Sequence, residues 1–428
     1  MTTQLQRDDV IAAQKTLTKD LLSTVTPLLR SQLLSELLGG DVFLKCENVQ
    51  RTGSFKARGA YWRIHQLSHE QRAQGVVAAS AGNHAQGVAL AARKLGTSAT
   101  VVMPKTAPLP KVSATERYLG PDQELVLHGE TVPEAIAHAK NLAAERGSVF
   151  IHPYDHEDVI AGQGTVGLEI AEQCPEVKTV VVPVGGGGLA AGIAVALADH
   201  RPSPRRRWGR RLRGSAPRVV GVQAAACAAY PDSLRKGSPV SIECGFTIAD
   251  GIAVPTPGEI PLGILLEHQV PVLTVSEDTL YRALLMCLER AKQLVEPAGV
   301  AAFGALLEHK DKFKSKFESP VVVVLSGGNI DPLLLGDLLR HGLSAAGRVL
   351  EFKCRLADKP GSVAKLLKTA GDVGANLVDM NPRRVAQLQL HEAEVAVHLE
   401  TKGEKHRKEV IEHLIKQLEG KDYTLDFS

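Results

Sequence analysis

The sequence predicts an α/β fold built from two parallel-sheet layers, with a small C-terminal domain of βαββαβ order appended to it. Short β-branched runs alternate with longer Ala- and Leu-rich stretches, which is typical of parallel strands covered by helices. This periodicity changes near residue 345. The length of 428 residues corresponds to two or three domains at about 150 residues each.

Two groups of apolar runs predict the strands of the two layers. The first group consists of VFLKCE, GVVAAS, SATVVMP, ELVLHG and SVFIHP, separated by helical patterns such as HAQGVALAARKLG. The second group consists of TVVVPV, RVVGVQ, VPVLTVS and PVVVVLS. Runs of the second group are nearly continuous in apolar residues, as expected for strands that are buried on both faces of a sheet.

From Val349 onward, strands and helices follow a different order. The predicted elements are a strand (VLEFKCRLA), a Pro-Gly turn, a helix (SVAKLLKTAGDVG), two strands (ANLVDM and HEAEVAVHLE), a helix (EKHRKEVIEHLIKQLEG) and a last strand (YTLDFS). This is the βαββαβ order of a ferredoxin-like domain. Pro360 and Gly361 predict a tight strand-to-helix turn, and Ser362 is expected to cap the helix.

The excess positive charge lies in one short segment, residues 201–214, in which six arginines fall within residues 205–213. The formal net charge is +3, and removing these six from the 50 basic residues leaves 44 against 47 acidic ones. We expect a solvated loop here, with no nucleic acid and no membrane as a partner. The N-terminal MTTQLQRDDV lacks the apolar core of an export signal, and no apolar run reaches about 18 residues. A cytoplasmic location is therefore expected.

The cysteines are scattered along the chain without a CxxC pair. They are Cys46, Cys174, Cys227, Cys244, Cys287 and Cys354. This spacing argues against a zinc site or a redox couple. We expect reduced and mostly buried thiols.

A lysine with an unusual setting follows the first predicted strand. In NVQRTGSFKARGA, Thr52, Gly53 and Ser54 can cap a helix whose first turn contains Lys56. The positive end of the helix dipole disfavours an ammonium there, and burial would lower the pKa of the amine further. Schiff-base chemistry needs a neutral amine. Lys56 is therefore a candidate for covalent catalysis.

Four consecutive glycines, Gly185 to Gly188, follow the run TVVVPV and precede a helix that begins near Leu189. Backbone amides at a helix N-terminus form an anion site that suits a phosphate group. Gly185, Gly187 and Ala190 also satisfy the dinucleotide pattern GxGxxA, and the arginines further along suit an NADP phosphate. No acid–base set for hydride transfer accompanies the loop, so we rank dinucleotide binding second.

Five motifs follow one another along the chain. They are Ser54–Gly59 (SFKARG), Ser80–His84 (SAGNH), Ala161–Thr165 (AGQGT), the four glycines and Ser326–Asn329 (SGGN). This set resembles the fold-type II family of pyridoxal-phosphate (PLP) enzymes, which includes threonine dehydratases and serine racemases and has a tryptophan-synthase-β-like fold. The resemblance covers about residues 10–335. It implies PLP as the cofactor and Lys56 as the residue that forms the Schiff base.

The resemblance also implies a domain organisation. We expect a catalytic domain at residues 1–345, in which a small subdomain at about 54–153 is inserted into a large subdomain formed by about 1–53 and 154–345. The second domain then spans residues 346–428.

Individual roles follow from the same resemblance. The residues expected to bind the cofactor are Lys56, Phe55, Asn83, Gly185, Gly186, Gly187, Gly188, Leu189 and Ser326. Those expected to surround the substrate carboxylate are Ser80, Ala81, Gly82, Asn83 and His84. Asn83 is expected to contact the 3-oxygen of the cofactor ring, and Ser326 the pyridine nitrogen. A serine at that nitrogen leaves the ring largely neutral, which suits β-elimination.

Ala81 bears on the type of reaction. Serine racemases of this family have a serine here, whose hydroxyl supplies the second proton donor of racemisation, and a methyl group cannot do so. We expect an ammonia-lyase that converts L-threonine and L-serine to 2-oxobutanoate and pyruvate. Racemisation, β-replacement and action on hydroxyaspartate remain alternatives. QAAACAAY, after RVVGVQ, has no carboxylate for a divalent metal, whereas a monovalent cation held by carbonyls stays open.

Asp358–Ser362, followed by an amphipathic helix and Gly374–Asn376, resembles the ACT domain, a small regulatory module that often binds amino acids. The resemblance implies an amino-acid effector near Asp358, Gly361 and Asn376. ACT domains commonly pair through their sheets, so a homodimer or homotetramer is expected. A purely structural role in dimerisation is the alternative.

Overall fold

The computed structural model describes residues 5–21, 25–200, 215–383, 391–420 and 422–427. The chain divides into two compact units, Met1–Pro332 and Leu333–Ser428. The predicted domain limit at residue 345 coincides with the end of a helix, Pro332–Ala345, and stays a prediction. The arginine-rich segment lies outside the described residues. No helix in the described part of the chain is long and apolar enough to cross a membrane.

The elements are numbered along the chain. The strands are β1 (Leu28–Arg30), β2 (Val42–Cys46), β3 (Val76–Ala79), β4 (Ala99–Met103), β5 (Gln123–Leu127), β6 (Val149–Phe150), β7 (Thr179–Pro183), β8 (Arg218–Ala224), β9 (Val272–Val275), β10 (Val321–Leu325), β11 (Val349–Ala357), β12 (Asn376–Arg383), β13 (Glu392–Glu400) and β14 (Tyr423–Asp426). The α-helices are α1 (Arg7–Asp20), α2 (Gln32–Leu38), α3 (Lys56–His65), α4 (His69–Gln74), α5 (Asn83–Leu95), α6 (Leu109–Glu116), α7 (Val132–Arg146), α8 (Glu157–Gln173), α9 (Gly188–Leu197), α10 (Tyr230–Lys236), α11 (Glu259–Glu267), α12 (Glu277–Met286), α13 (Pro297–Glu308), α14 (Phe313–Lys316), α15 (Pro332–Ala345), α16 (Ser362–Asp372) and α17 (Glu404–Leu418).

The larger sheet of the first unit has six strands in the order β1-β2-β10-β7-β8-β9. All neighbours are parallel except β1, which pairs antiparallel with β2 at the edge. The central strand β10 consists of four valines and a leucine, all buried. A strand covered on both faces requires such an apolar run, so the sequence pattern locates it. The pattern does not predict β1, because its three residues are partly or fully exposed.

The smaller sheet of the first unit has four parallel strands in the order β5-β4-β3-β6. Helices α3 and α5 pack on one face of β3, around Val76 and Ala78, and α7 packs on the other, around Val77 and Ala79. The full burial of β3 and β4 follows from this double cover. The two sheets confirm the predicted α/β class with two parallel-sheet layers.

Helix α8 crosses both α3 and α9 at pairs of glycines. A Cβ atom at Gly162 would lie 2.6 Å from the Cα atom of Gly59, and one at Gly164 would lie 2.6 Å from the carbonyl oxygen of Gly192. Non-bonded atoms do not approach so closely, so these crossings require residues without a side chain. The AGQGT motif therefore sets the distance between α8 and α3, the helix that begins at Lys56.

The second unit contains a four-stranded antiparallel sheet in the order β12-β13-β11-β14. Alternate residues of β11 are buried, namely Leu350, Phe352, Cys354 and Leu356. These side chains pack with α16 and α17 in one core. The observed succession β11, α16, β12, β13, α17, β14 is the predicted βαββαβ order.

The predicted cap at Ser362 is wrong. Gly361 occupies the N-cap position of α16 with φ of +91°, and no side-chain capping hydrogen bond forms there among the described residues. Ser362 is instead the first helical residue, and its carbonyl oxygen accepts a hydrogen bond from the Tyr423 hydroxyl at 2.9 Å. The tight turn needs a left-handed residue, which glycine supplies without steric cost.

The expectation of six reduced cysteines is wrong for one pair. Cys227 and Cys244 form a disulfide bond, with Cα atoms 4.5 Å apart. Their separation of 17 residues matches no motif, so only the fold reveals that they are neighbours. The remaining cysteines, Cys46, Cys174, Cys287 and Cys354, are buried thiols.

Candidate active site

Lys56 is the first residue of α3. The predicted capping by Thr52, Gly53 or Ser54 is wrong, because Phe55 occupies the N-cap position, and the described residues form no side-chain capping hydrogen bond there. Ser54 instead pairs with Gly327 in an antiparallel β-bridge. The Ser54 hydroxyl is buried and has no hydrogen-bond partner among the described residues.

The amine of Lys56 lies in a largely buried environment. Its Nζ atom donates a hydrogen bond to the carbonyl oxygen of Pro153 at 3.0 Å and lies 5.2 Å from the centre of the Phe55 ring. Burial lowers the pKa of Lys56 from 10.5 to about 8, and the charge of Glu296 opposes this shift. A sizeable fraction of the amine is therefore neutral near physiological pH.

The turn after β10 lies beside Lys56. The backbone amide of Phe55 donates to the carbonyl oxygen of Ser326 at 3.2 Å, and the next residue, Gly327, pairs with Ser54. Strands β2 and β10 are parallel neighbours, so their carboxyl ends meet at one edge of the sheet, where α/β folds bind ligands. Strand pairing thus brings the predicted residues Lys56 and Ser326 together.

The side-chain amide of Asn83, the first residue of α5, joins three segments of the chain. Its Nδ2 atom donates to Oε1 of Glu296 at 2.6 Å, and its Oδ1 atom accepts from Nδ2 of Asn329 at 2.8 Å. Helix α5 is held against α3 at Gly87, where a Cβ atom would lie 3.1 Å from the carbonyl carbon of Lys56. Asn83 therefore belongs to the same cleft as Lys56 and the turn after β10.

Glu296 is part of this cleft, although the motifs do not single it out. The residue precedes Pro297 at the start of α13 and is buried. Burial and, to a lesser degree, the charge of Asp250 raise the pKa of Glu296 to about 7, while Lys111 opposes the shift. The available sequence signal is a lone acid ahead of an almost wholly apolar helix. A carboxyl buried there has to find polar partners.

The glycines after β7 lie between two tyrosines. The ring of Tyr154 occupies the space that a side chain at Gly186 would need, and the hydroxyl of Tyr230 does the same at Gly187. That hydroxyl also donates to the carbonyl oxygen of Gly186 at 2.9 Å. Gly187 has a left-handed φ of +99° and is the N-cap of α9. The first amides of a helix have no acceptor within it, so the loop forms a cradle for an anion.

A short segment after β6 connects this cradle to Lys56. Pro153 accepts the Lys56 hydrogen bond, and the adjacent Tyr154 packs on Gly186. Neither Pro153 nor Tyr154 belongs to the motifs that predicted the site. Their position at the carboxyl end of a parallel strand is the signal that could have located them, because ligands bind at that edge of the sheet.

The Ser80–His84 loop leads from β3 into α5. The Ser80 hydroxyl accepts a hydrogen bond from the Gly82 amide at 3.1 Å. His84 is buried, its Nε2 atom lies 3.0 Å from the carbonyl oxygen of Ile151, and burial lowers its pKa to about 3. The His84 ring is therefore neutral and makes a structural contact. Its direct contact with the substrate stays a prediction.

An ion pair lies beside the Ser80–His84 loop. The Nζ atom of Lys111, on α6, lies 2.6 Å from Oδ2 of Asp250. A Cβ atom at Gly82 would lie 3.5 Å from Cδ of Lys111, so the lysine stem runs beside the Ser80–His84 loop. Helix α6 packs with the smaller sheet, whereas Asp250 follows β8 of the larger one. The pair therefore joins the two parts of the first unit at the cleft.

Comparison with known proteins identifies the family. A family model described as pyridoxal-phosphate dependent enzyme matches residues 20–327, a range that includes Lys56, the glycine loop and Ser326. The chain belongs to this family. The predicted family and the predicted PLP cofactor are thereby confirmed.

Known relatives agree with this assignment. The chain is 41% identical over 409 residues to the L-threonine ammonia-lyase of Thermotoga maritima, covering 95% of this chain and 96% of the relative. The structure resembles the processed form of threonine deaminase isoform 2 from Solanum lycopersicum, with a TM-score of 0.68, 33% identity, and coverage of 78% of this chain and 93% of that one. It also resembles maize serine racemase, with a TM-score of 0.71, 31% identity, and coverage of 80% and 99%. The predicted fold-type II architecture is confirmed.

The cleft fits the cofactor of the family. The glycine loop offers amides and leaves no room for side chains, as a phosphate cradle requires. Lys56 provides an amine whose pKa is lowered towards neutrality. Asn83 and Ser326 belong to the same cleft. The specific roles of these residues, and those of Phe55 and Leu189, stay predictions.

The three predicted effector residues of the second unit are not close together in one chain. Asp358 and Gly361 follow the end of β11, whereas Asn376 begins β12. Asn376 and Val349, the first residue of β11, both pair with Glu400. Asn376 therefore lies at the opposite end of the sheet from Asp358, roughly 30 Å away along the strands at about 3.3 Å per residue.

Proposed function

We propose that the protein is a PLP-dependent ammonia-lyase that eliminates water from L-threonine and from L-serine and releases a 2-oxo acid and ammonia. The proposal rests on the Lys56 amine, whose pKa burial lowers to about 8 in a cleft shared with Asn83 and Ser326. The name of the Thermotoga maritima relative, which aligns with 95% of this chain, supports threonine as the substrate.

Each part of the cleft has a proposed task. The amides of the Ser80–His84 loop, at the N-terminus of α5, hold the substrate carboxylate. The glycine loop and Leu189 hold the cofactor phosphate, and Ser326 binds the ring nitrogen. When bound, the cofactor supplies an electron-withdrawing ring that makes the substrate Cα proton acidic. Lys56 removes this proton as the general base, since its lowered pKa allows a neutral amine.

Serine racemisation is a second candidate, because maize serine racemase superimposes on 80% of this chain with a TM-score of 0.71. Racemisation needs a proton donor on the substrate face opposite Lys56. The methyl group of Ala81 has no such proton, which favours elimination.

The two candidates differ in their products. We expect the purified yellow protein to release 2-oxobutanoate from L-threonine and pyruvate from L-serine, and chiral analysis of the remaining serine to show no D-serine. Lys56→Ala should lose the visible absorbance and at least roughly 10²- to 10⁴-fold of the turnover. The control Lys236→Ala, at the exposed end of α10, should retain both. D-serine without any 2-oxo acid would contradict the proposal.

We also propose that residues 346–428 form an ACT-like regulatory domain and that residues 1–345 form the catalytic domain, with its small subdomain at about 54–153. The protein is proposed to be a cytoplasmic homodimer or homotetramer. The sheet order of the second unit supports the ACT assignment. An effector that contacts Asp358 and Asn376 together has to lie between two copies of the chain, because the strand register separates these residues within one copy. Binding of a monovalent cation stays a prediction.

A further inference from the structure

The side-chain amide of Asn83 is held at both of its ends. Asn329 donates to its oxygen at 2.8 Å, and Glu296 accepts from its nitrogen at 2.6 Å. The nitrogen of Asn329 also donates to the backbone carbonyl of Thr52 at 2.7 Å, which fixes the orientation of Asn329 itself. A backbone carbonyl oxygen can only accept, so the atom of Asn329 that faces Thr52 is its amide nitrogen. The donor and the acceptor are thereby assigned in each hydrogen bond from Asn329 through Asn83 to Glu296.

The second N–H of the Asn83 amide takes part in neither of these two side-chain hydrogen bonds. An amide nitrogen has two N–H donors, and Glu296 takes only one of them. We propose that Glu296 and Asn329 are positioning residues that hold the Asn83 amide with its second N–H directed to the 3-oxygen of the cofactor. This inference rests on the proposed placement of the cofactor beside Asn83 and deepens it.

The side chain of Glu296 is directed to Asn83 and not to the start of α13. The residue occupies the N-cap position, but its side chain does not cap the helix. Instead, its Oε1 atom fills the space where a side chain at Gly327 would lie. The second residue of the SGGN motif is therefore a glycine because the carboxyl of Glu296 has to pass it on the way to Asn83.

The charges around Glu296 make the contact sensitive to pH. Its carboxyl experiences the charges of Lys56 on α3, Lys111 on α6 and Asp250 after β8, and its pKa is raised to about 7. Both ionisation states offer an acceptor oxygen to Asn83, but the ionised carboxylate forms the stronger hydrogen bond. Orientation of Asn83 should therefore strengthen as the pH rises through about 7.

The test is a titration of the cofactor-free protein with PLP, followed by its visible absorbance. Glu296→Ala should raise the dissociation constant about tenfold or more, whereas Glu296→Gln, which keeps an acceptor oxygen, should change it less than about threefold. The dissociation constant of the unaltered protein should fall more steeply with pH around 7 than that of Glu296→Gln. A residue that only supports the fold would not produce this difference in pH dependence.

A double-mutant cycle shows whether Glu296 acts through Asn83. In an Asn83→Ala background, adding Glu296→Ala should alter the dissociation constant less than about twofold. Asn329→Asp places an acceptor against the Asn83 oxygen and should weaken PLP binding about tenfold or more. This variant tests the inference even if Glu296→Ala fails to fold. An undiminished effect of Glu296→Ala in the Asn83→Ala background, or normal binding by Asn329→Asp, would overturn the inference. The Lys56→Ala variant tests the proposed function separately from this inference. If Lys56→Ala keeps the absorbance of the attached cofactor, the proposed function fails.

Discussion

The Lys56 amine owes its lowered pKa to burial, since the surrounding protein replaces water that would stabilise an ammonium. The sequence predicts both the residue and the direction of this shift. It does not predict the partners that hold the amine in place, because Pro153 approaches Lys56 from a distant segment of the chain.

Uptake of PLP by the cofactor-free protein should depend on the ionisation of Lys56. Only the neutral amine reacts, so the rate should rise about tenfold per pH unit well below the pKa of Lys56 and become constant above it. Because the pKa of Lys56 is about 8, the rate should become constant at a lower pH than it would for an ordinary lysine. Stopped-flow absorbance measures the rate, with Nα-acetyl-lysine as the reference amine. A protein rate that continues to rise up to pH of about 10 would disprove this account of Lys56.

The positions of whole helices depend on the glycines of α8. Gly162 meets Gly59 of α3, and Gly164 meets Gly192 of α9, so one helix sets the distance of two others. The sequence contains the AGQGT motif, but only the crossing of the helices explains its glycines.

Gly162→Ala should move α3 and with it Lys56. The added Cβ would lie 2.6 Å from the Cα atom of Gly59, and such overpacking costs about 1–3 kcal/mol in the free energy of unfolding. Urea unfolding measures this loss, and PLP affinity should fall with it. The matched control is Gly371→Ala in α16, where a Cβ atom would meet no other atom of the described residues within 4 Å. Equal stability of the two variants would show that the α3–α8 contact tolerates a side chain.

The whole molecule consists of two units with separate cores. The first unit contains the parallel sheets and matches the PLP family. The second unit contains an antiparallel sheet, and its predicted effector residues lie at opposite ends of that sheet. Chemistry and regulation are thus proposed for different parts of the chain.

An amino-acid effector should act on the enzyme through the second unit. We expect L-isoleucine or L-valine to shift the threonine concentration for half-maximal rate by about fivefold or more. Asp358→Ala should remove this response and leave kcat within about twofold, since Asp358 belongs to the second unit and every proposed catalytic group belongs to the first. Asp372→Ala, at the exposed end of α16, is the control and should still respond. If calorimetry detects no binding of either amino acid, the regulatory proposal fails.

The sequence by itself determines the α/β class, the buried parallel strands, the βαββαβ order of the second unit and the family with its cofactor. These properties are encoded locally, in apolar periodicity and in short motifs of consecutive residues. Lys56 and the glycine loop are recognisable for the same reason.

Only the tertiary structure decides which distant residues meet. Glu296 and Asn329 reach Asn83, Tyr154 covers Gly186, and the predicted helix caps at Ser54 and Ser362 do not form. The Cys227–Cys244 disulfide likewise follows from the fold and not from spacing. Such contacts depend on how elements pack across the chain, and no local pattern in the sequence records that packing.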